Sequence, residues 1–226
     1  MEAFEAYKDF ITECKKAFID RDKEVDCLAT GLISEMSAVL VGPPGTAKSG
    51  LVYAFAKGIN QSYFRYLITR YTTPDELFGH FSLKALKERD SYERMTKGKM
   101  PEAQIVFLDE VFKASSALLN SLLTIMNEKE VDVGNGIRKK CPLELFIGAS
   151  NEYPFDDESL GALWDRWMFR LHVDDINPMR SNNFERLIMD PDLGVVTATM
   201  DFAHIQKLRA DRDSVDCRPI LPILAD

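Results

Sequence analysis

The sequence predicts an α/β fold with a mostly parallel sheet of five strands. Short apolar runs alternate with longer stretches of helical periodicity, and the runs are continuously apolar, as in strands buried on both faces. The 226 residues, 46% hydrophobic and 28% charged, also have the composition of an ordinary globular protein. The predicted strands are Ala38–Val41, Tyr66–Ile68, Ile105–Leu108, Leu145–Gly148 and Phe169–Val173.

Charge, cysteines and histidines argue against several classes of function. The chain has 28 Lys and Arg against 36 Asp and Glu, a net charge of −8, whereas proteins that hold nucleic acid through phosphate contacts usually have the opposite balance. The four cysteines form no CxxC pair and the three histidines share no ligand spacing, which favours reduced thiols and no zinc site. The N-terminus lacks a secretory signal and no apolar run is long enough for a membrane span, so we expect a cytoplasmic protein.

Four further elements follow from periodicity and turn chemistry. The clearest helix runs from Ser115 to Lys129, with leucines spaced to pack on the sheet. A polar excursion fills Phe78–Ala103, and alternation around a Gly-Asn-Gly turn predicts a hairpin within Glu130–Cys141. A last helix is predicted over Thr197–Arg212, and prolines argue against its continuation.

The glycine-rich turn after the first strand predicts a phosphate-binding loop that leads into a helix. Its backbone N–H groups and the helix N-terminus would hold a polyphosphate, Lys48 would reach the β- and γ-phosphates, and the Ser49 hydroxyl would ligate Mg²⁺. The alternative is a chance glycine-proline turn before a helix. The candidate binding residues are Gly42, Pro43, Pro44, Gly45, Thr46, Ala47, Lys48, Ser49 and Gly50.

One position departs from the strict GxxxxGK[ST] pattern, because Ala47 stands where the pattern has glycine. The added methyl group is tolerable if the φ angle at this residue is negative and costly if it is positive.

The run Ile105–Leu108 ends in two carboxylates, Asp109 and Glu110. We expect this strand to lie beside the loop strand, so that its carboxyl end meets the phosphates. Asp109 would then hold Mg²⁺ through water, and Glu110 would polarise the attacking water as general base. A solvated Asp-Glu turn at a strand end is the alternative.

These residues resemble an AAA+ ATPase, with the loop as Walker A and Ile105–Glu110 as Walker B. More narrowly, the chain resembles the MoxR family and its RavA-like branch, in which Ala commonly precedes the lysine. The resemblance implies a P-loop NTPase three-layer sandwich in residues 1–176, followed by an incomplete helical lid in residues 177–226. It covers about residues 18–175 and rests on GPPGTAKS, TRYTTPDELFGHFSLKALKE, YERMTKGKMPEAQIVFLDEVFKAS, LLNSLLTIMNEKEV, GASNEYP and LWDRWMFRL.

The resemblance also implies roles for residues outside the two motifs. Asn151 matches sensor 1, whose amide orients the lytic water, although Asn after a strand is also an ordinary turn residue. Arg166 matches the arginine finger that completes the site of a neighbouring subunit. Arg170 is a weaker match, and either arginine could instead pair with surface acids such as Asp165. Ile19 and Asp20 match the segment that usually covers adenine.

Two insertions and the tail complete the comparison with the family. Residues from about 79 to 103 resemble the helix-2 insert, and those from about 130 to 141 the hairpin before sensor 1, which face the central pore in related rings. The basic run Arg138–Lys140 would there contact a client or be a solvated charged surface. No residue of the tail is identified as sensor 2, although Arg209, Arg212 and Arg218 are candidates.

The family therefore implies a Mg²⁺-dependent ATPase that forms a ring, expected to be a hexamer, and remodels protein clients. A partner with a von Willebrand factor A (vWA) domain is implied as well, whereas the identity of the client is not. The first alternative is a nucleotide-binding interaction module with little or no turnover, because its lid is incomplete. The second is an ATPase that acts on DNA through the basic hairpin, which the acidic charge balance disfavours.

Overall fold

The computed structural model of the protein describes residues 2–154, 160–177 and 183–214. The helices in these ranges are α1 (Glu2–Ala17), α2 (Asp22–Ser34), α3 (Lys48–Gly58), α4 (Pro74–Phe78), α5 (Leu83–Arg89), α6 (Ser116–Glu128), α7 (Gly161–Trp164), α8 (Asn183–Met189) and α9 (Phe202–Asp213). The strands are β1 (Ala38–Val41), β2 (Tyr63–Leu67), β3 (Ile105–Asp109), β4 (Glu130–Asp132), β5 (Arg138–Lys140), β6 (Leu145–Ser150) and β7 (Phe169–His172).

The main sheet has the order β2-β3-β6-β1-β7, and every pair in it is parallel. The predicted α/β fold with a mostly parallel five-stranded sheet is therefore confirmed. The expectation that the acidic strand β3 lies beside the loop strand β1 is wrong, because β6 lies between them and pairs with both. All six residues of β6 are buried, which suits this central position, whereas β2 has partly exposed residues and forms an edge.

The second strand occupies Tyr63–Leu67 rather than the predicted Tyr66–Ile68. This strand lies at the edge of the sheet, where residues are partly buried or exposed. Its first half contains Arg65 and is not continuously apolar, so a continuous apolar run does not indicate it. The predicted helix at Ser115 occupies Ser116–Glu128, and the Ser115 hydroxyl accepts a hydrogen bond from the Leu118 amide as N-cap.

The sheet lies between two helical layers, because successive residues of a strand point to opposite faces. Leu40, Phe107 and Ile147 pack in one apolar cluster with α1, α2, α3 and α9. Val106 and Phe146 pack in the other cluster, with α6 and the fully buried Trp167. Within the described ranges, no helix has both the length and the apolar character needed to cross a lipid bilayer.

The polar excursion and the hairpin β4–β5 are docked against each other. The amide of Arg94 donates to the Val133 carbonyl at 2.9 Å, and the amide of Tyr92 donates to Asn135 Oδ1 at 3.1 Å. A Cβ atom on Gly134, whose φ is +104°, would lie 1.8 Å from the Tyr92 carbonyl oxygen, so this contact requires glycine.

The basic run on strand β5 is exposed and partly neutralised. Arg138 pairs with Glu128, and Lys139 Nζ lies 3.4 Å from Glu102 Oε1. Lys140, the last residue of the run, is exposed as well.

The tail helix α9 packs on α1 and α2, away from the phosphate loop. Arg209 donates to the Leu32 carbonyl at 2.7 Å and pairs with Glu144 at 2.5 Å, and Arg212 donates to the Ile33 carbonyl at 2.6 Å. Since these partners precede strands β1 and β6, both arginines lie at the amino edge of the sheet and neither faces the loop. The third candidate for sensor 2, Arg218, lies outside the described residues.

The first prediction concerns the docking of α1 on the sheet. Phe10 is fully buried and its ring centroid lies 5.3 Å from that of Phe55, so Phe10→Ala should lower the free energy of unfolding by about 3–5 kcal/mol. The matched control is Phe4→Ala in the same helix, where the side chain is 53% exposed and the loss should stay below about 1 kcal/mol. Urea titration measures both, and equal losses would show that α1 is not docked as described.

Candidate active site

The predicted phosphate loop lies at the carboxyl edge of the sheet, between β1 and α3. The Gly42 amide donates to the Ser150 carbonyl at 3.0 Å, and a Cβ atom on Gly42 would lie 2.1 Å from the Val173 carbonyl oxygen. The start of the loop is therefore wedged between the ends of β6 and β7, and a larger residue does not fit there. The next residues turn outward, since Pro44, Gly45 and Ala47 are exposed.

Ala47 has a φ of +63°, in the left-handed region. From the sequence, Ala47 is expected to be tolerable at negative φ and costly at positive φ. The structure has the positive φ, which is the costly conformation. A left-handed conformation costs a non-glycine residue about 1–2 kcal/mol, so surrounding contacts must hold the loop in this shape.

Lys48 is the first residue of α3, and its ammonium group folds back over the loop. Its Nζ donates to the Gly42 carbonyl at 2.7 Å and to the Pro43 carbonyl at 2.8 Å, and it lies 3.4 Å from Asn151 Oδ1. Burial lowers the pKa of Lys48, while the carboxylates of Asp109 and Glu110 oppose that shift. The loop therefore holds a buried cation whose partners are neutral carbonyls.

Ser49, at the start of α3, contacts Asp109, at the end of β3, although β6 lies between β3 and the loop strand β1. The Ser49 hydroxyl donates to Asp109 Oδ2 at 3.0 Å, and Arg65 Nη2 lies 3.8 Å from the same carboxylate. A hydroxyl and a carboxylate at this distance are hard oxygen donors, which suit a magnesium ion that takes its other ligands from phosphate and water. No group of three or more His, Cys, Asp or Glu in the described ranges could form a metal cage of its own.

Glu110 and Asn151 form the second pair of the site. Glu110 is 9% exposed, has a φ of +55°, and its Oε1 accepts a 2.5 Å hydrogen bond from Asn151 Nδ2. Lys113 Nζ lies 3.2 Å from Oε2 as an ion pair, with a geometry that is not that of a hydrogen bond. Because Asn151 also contacts Lys48, the amide bridges the cation of the loop and the candidate base.

The predicted adenine segment lies beside the loop. Ile19 is buried, and Asp20 accepts a hydrogen bond from Asn183 Nδ2 at 2.7 Å. Asp20 and Arg21 line a cavity of about 700 Å³ between the turn joining α1 to α2 and the segment that follows β7. This volume is in the range of small-ligand sites.

The two candidate finger arginines differ in their surroundings. Arg170 stacks on the ring of Trp164 and pairs with Asp165 at 3.7 Å. The exposed guanidinium of Arg166 contacts no partner in the described part of the chain. The Arg166 carbonyl accepts a hydrogen bond from Ser37, which precedes β1, so Arg166 lies at the amino edge, opposite its own loop.

The sequence did not indicate three cations of the site: Arg21, Arg65 and Lys113. Arg21 is 2% exposed and its Nε donates to the Thr46 carbonyl at 3.0 Å. Within the charged stretch around it, nothing distinguishes a buried arginine from a solvated one. Lys113 follows Glu110 by three residues, a spacing that could have indicated the ion pair.

Comparison with known proteins identifies the family through a family model and a named relative. The model of a MoxR domain found in MoxR–vWA–β-propeller ternary systems matches residues 5–193. An uncharacterised protein of Methanocaldococcus jannaschii is 41% identical over 214 residues, which are 95% of this chain and 55% of that protein. The chaperone MoxR1 of Mycobacterium tuberculosis is 24% identical over 208 residues, 89% of this chain and 53% of that protein.

A crystal structure of a candidate ATPase from Cytophaga hutchinsonii shares the fold. Its TM-score is 0.71 at 19% identity, and the match covers 94% of this chain and 65% of that one. The chain spans about half the length of the relatives it matches. Because the family model matches most of its residues, the chain belongs to the MoxR family.

Proposed function

We propose that the protein binds MgATP at the loop of residues 42–49 and hydrolyses it as an AAA+ ATPase subunit. The observation that carries the proposal is that Ser49 and Asp109 lie 3.0 Å apart while Lys48, Asn151 and Glu110 form one connected chain of contacts beside them. Together these side chains supply the metal ligands, cation, amide and carboxylate that phosphoryl transfer to water requires.

The proposed chemistry assigns each side chain a task. Lys48 exchanges its carbonyl partners for the β- and γ-phosphates, and Ser49 and Asp109 hold Mg²⁺, which when bound neutralises charge on the phosphates. Glu110 accepts a proton from water as the water oxygen attacks the γ-phosphorus, and the bond to the ADP oxygen breaks. Asn151 orients that water.

The assembly and its partners are proposed from the family. We propose a ring, expected to be a hexamer, that remodels protein clients together with a vWA-domain protein. The family description and the chaperone relative support this, and the exposed Arg166 supports a site shared between subunits. The RavA-like assignment stays a prediction that rests on the sequence motifs.

The second prediction tests nucleotide binding. Lys48→Ala removes a buried cation from the phosphate site and should weaken MgATP binding at least about 100-fold, since hydrogen bonds to charged groups are worth about 1.5–3 kcal/mol each. Lys57→Ala, at an exposed position of the same helix, is the control and should bind normally. Titration calorimetry measures both variants, and unchanged affinity for Lys48→Ala would refute the site.

The third prediction separates hydrolysis from binding. Glu110→Gln keeps the hydrogen bond from Asn151 but cannot accept a proton, so phosphate release should fall by about 10²–10⁴-fold while ATP affinity changes little. If the wild-type protein binds ATP without turnover at any concentration, and the variant alters nothing, the protein is a nucleotide-binding interaction module instead.

The fourth prediction tests whether Arg166 acts on a neighbouring subunit. Arg166→Ala should leave binding intact and lower turnover by about 10³–10⁵-fold, whereas Arg170→Ala, whose side chain pairs locally, should change it less. Mixing Arg166→Ala with Glu110→Gln protein should restore activity, because intact sites then meet intact fingers in about a quarter of random neighbour pairs of a ring. Mixtures that remain inactive would show that Arg166 does not act between subunits.

A further inference from the structure

Arg21 connects three separate segments of the chain at the loop. Its Nε donates to the Thr46 carbonyl at 3.0 Å, its Nη1 to the Asp20 carbonyl at 2.8 Å and its Nη2 to the Asp174 carbonyl at 2.8 Å. The residue is 2% exposed. One buried guanidinium therefore ties the phosphate loop to the turn before α2 and to the segment after β7.

The hydrogen bond to the Thr46 carbonyl lies in the part of the loop with the least favourable backbone conformation. Gly45 and Ala47 both have positive φ, at +84° and +63°, so the peptide between Thr46 and Ala47 lies next to a strained residue. In a trans peptide the carbonyl and the following N–H point in opposite directions. Anchoring the Thr46 carbonyl on Arg21 therefore directs the Ala47 N–H away from Arg21.

The amides of this turn are free to bind an anion. Those of Gly45, Thr46 and Ala47 donate to no acceptor in the ranges that the structure describes. Free backbone donors in a turn before a helix form a concave anion site, provided that their directions are held. Arg21 donates to the carbonyl of Thr46, which is one of these three residues.

The guanidinium of Arg21 forms an ion pair with Glu24 that is longer than a hydrogen bond. Glu24, 5% exposed, lies 3.7 Å away, and burial raises the pKa of Glu24 while Arg21 opposes that shift. The main interactions of the guanidinium are thus with three carbonyls, which its planar fork of donors can reach at once. A lysine has a single nitrogen and cannot reproduce this arrangement.

We propose that Arg21 is a positioning residue of the nucleotide site, which holds the loop in its anion-binding shape before the phosphates arrive. The expected effect on nucleotide binding rests on the proposed function. The structural part, that Arg21 holds the shape of the loop, rests on the contacts of the loop alone. Arg21 donates to main-chain carbonyls and would touch neither the phosphates nor the attacking water. It should therefore affect ground-state and transition-state binding equally.

The test compares Arg21→Lys with Arg209→Lys in the nucleotide-free protein. Arg209 is a matched control, because its side chain is 12% exposed and donates to the Leu32 carbonyl, but at the opposite edge of the sheet. Amide hydrogen exchange of Gly42 and Leu51, whose N–H groups donate to the Ser150 and Ala47 carbonyls, should become at least about tenfold faster in Arg21→Lys, because the loop opens locally. It should stay at the wild-type rate in Arg209→Lys. Equal exchange in the two variants would overturn the proposal.

A second readout uses the nucleotide itself. In Arg21→Lys the KM for MgATP and the Kd for MgADP should rise together by about tenfold, while kcat at saturation changes less than threefold or so. A fall in kcat with unchanged KM would overturn the positioning role. If Arg21→Lys does not fold, Arg21→Gln, which keeps one donor for a carbonyl, replaces it. Absence of ATP binding by the wild-type protein would refute the proposed function, and the exchange comparison would still decide the structural role of Arg21.

Discussion

The position of β6 between β1 and β3 is the constraint on which the candidate site depends. Parallel pairing brings the carboxyl ends of the three strands to one edge, where β1 continues into the loop and β3 ends in Asp109. Asn151 follows the middle strand and therefore lies between Lys48 and Glu110, in contact with both. A direct pairing of β1 with β3 would have placed this amide outside the site.

An acidic protein thus concentrates buried cations at one edge of its sheet. Lys48 and Arg21 are both nearly inaccessible, and their closest partners are main-chain carbonyls rather than carboxylates. The carbonyls satisfy the donors of both cations, whereas the carboxylates lie farther off: Glu24 is 3.7 Å from Arg21, and the charges of Asp109 and Glu110 act on Lys48. The left-handed Ala47 belongs to the same arrangement, since its strain is tolerated only where neighbouring contacts hold the loop.

Different functional groups lie at the two edges of the sheet. The carboxyl edge holds the loop and the carboxylates, whereas the amino edge holds Arg166, exposed, and Arg209, bound to Glu144. The proposed ring is a head-to-tail association of this kind, in which the site at one edge of a copy would meet the arginine at the other edge of its neighbour. On the proposed function, a single copy would lack one of its catalytic groups.

The sequence alone determined the α/β class, four of the five sheet strands, the loop and the acidic strand end, because continuous apolar runs and glycine turns are local signals. It could not determine the strand order, the exposed edge strand at Arg65 or the positive φ of Ala47. Those features depend on which strands pair, and pairing is a contact between residues far apart in the chain. Arg21 is the clearest case: it stands among other charged residues, and only the tertiary structure, which buries it against three carbonyls, distinguishes it from its solvated neighbours.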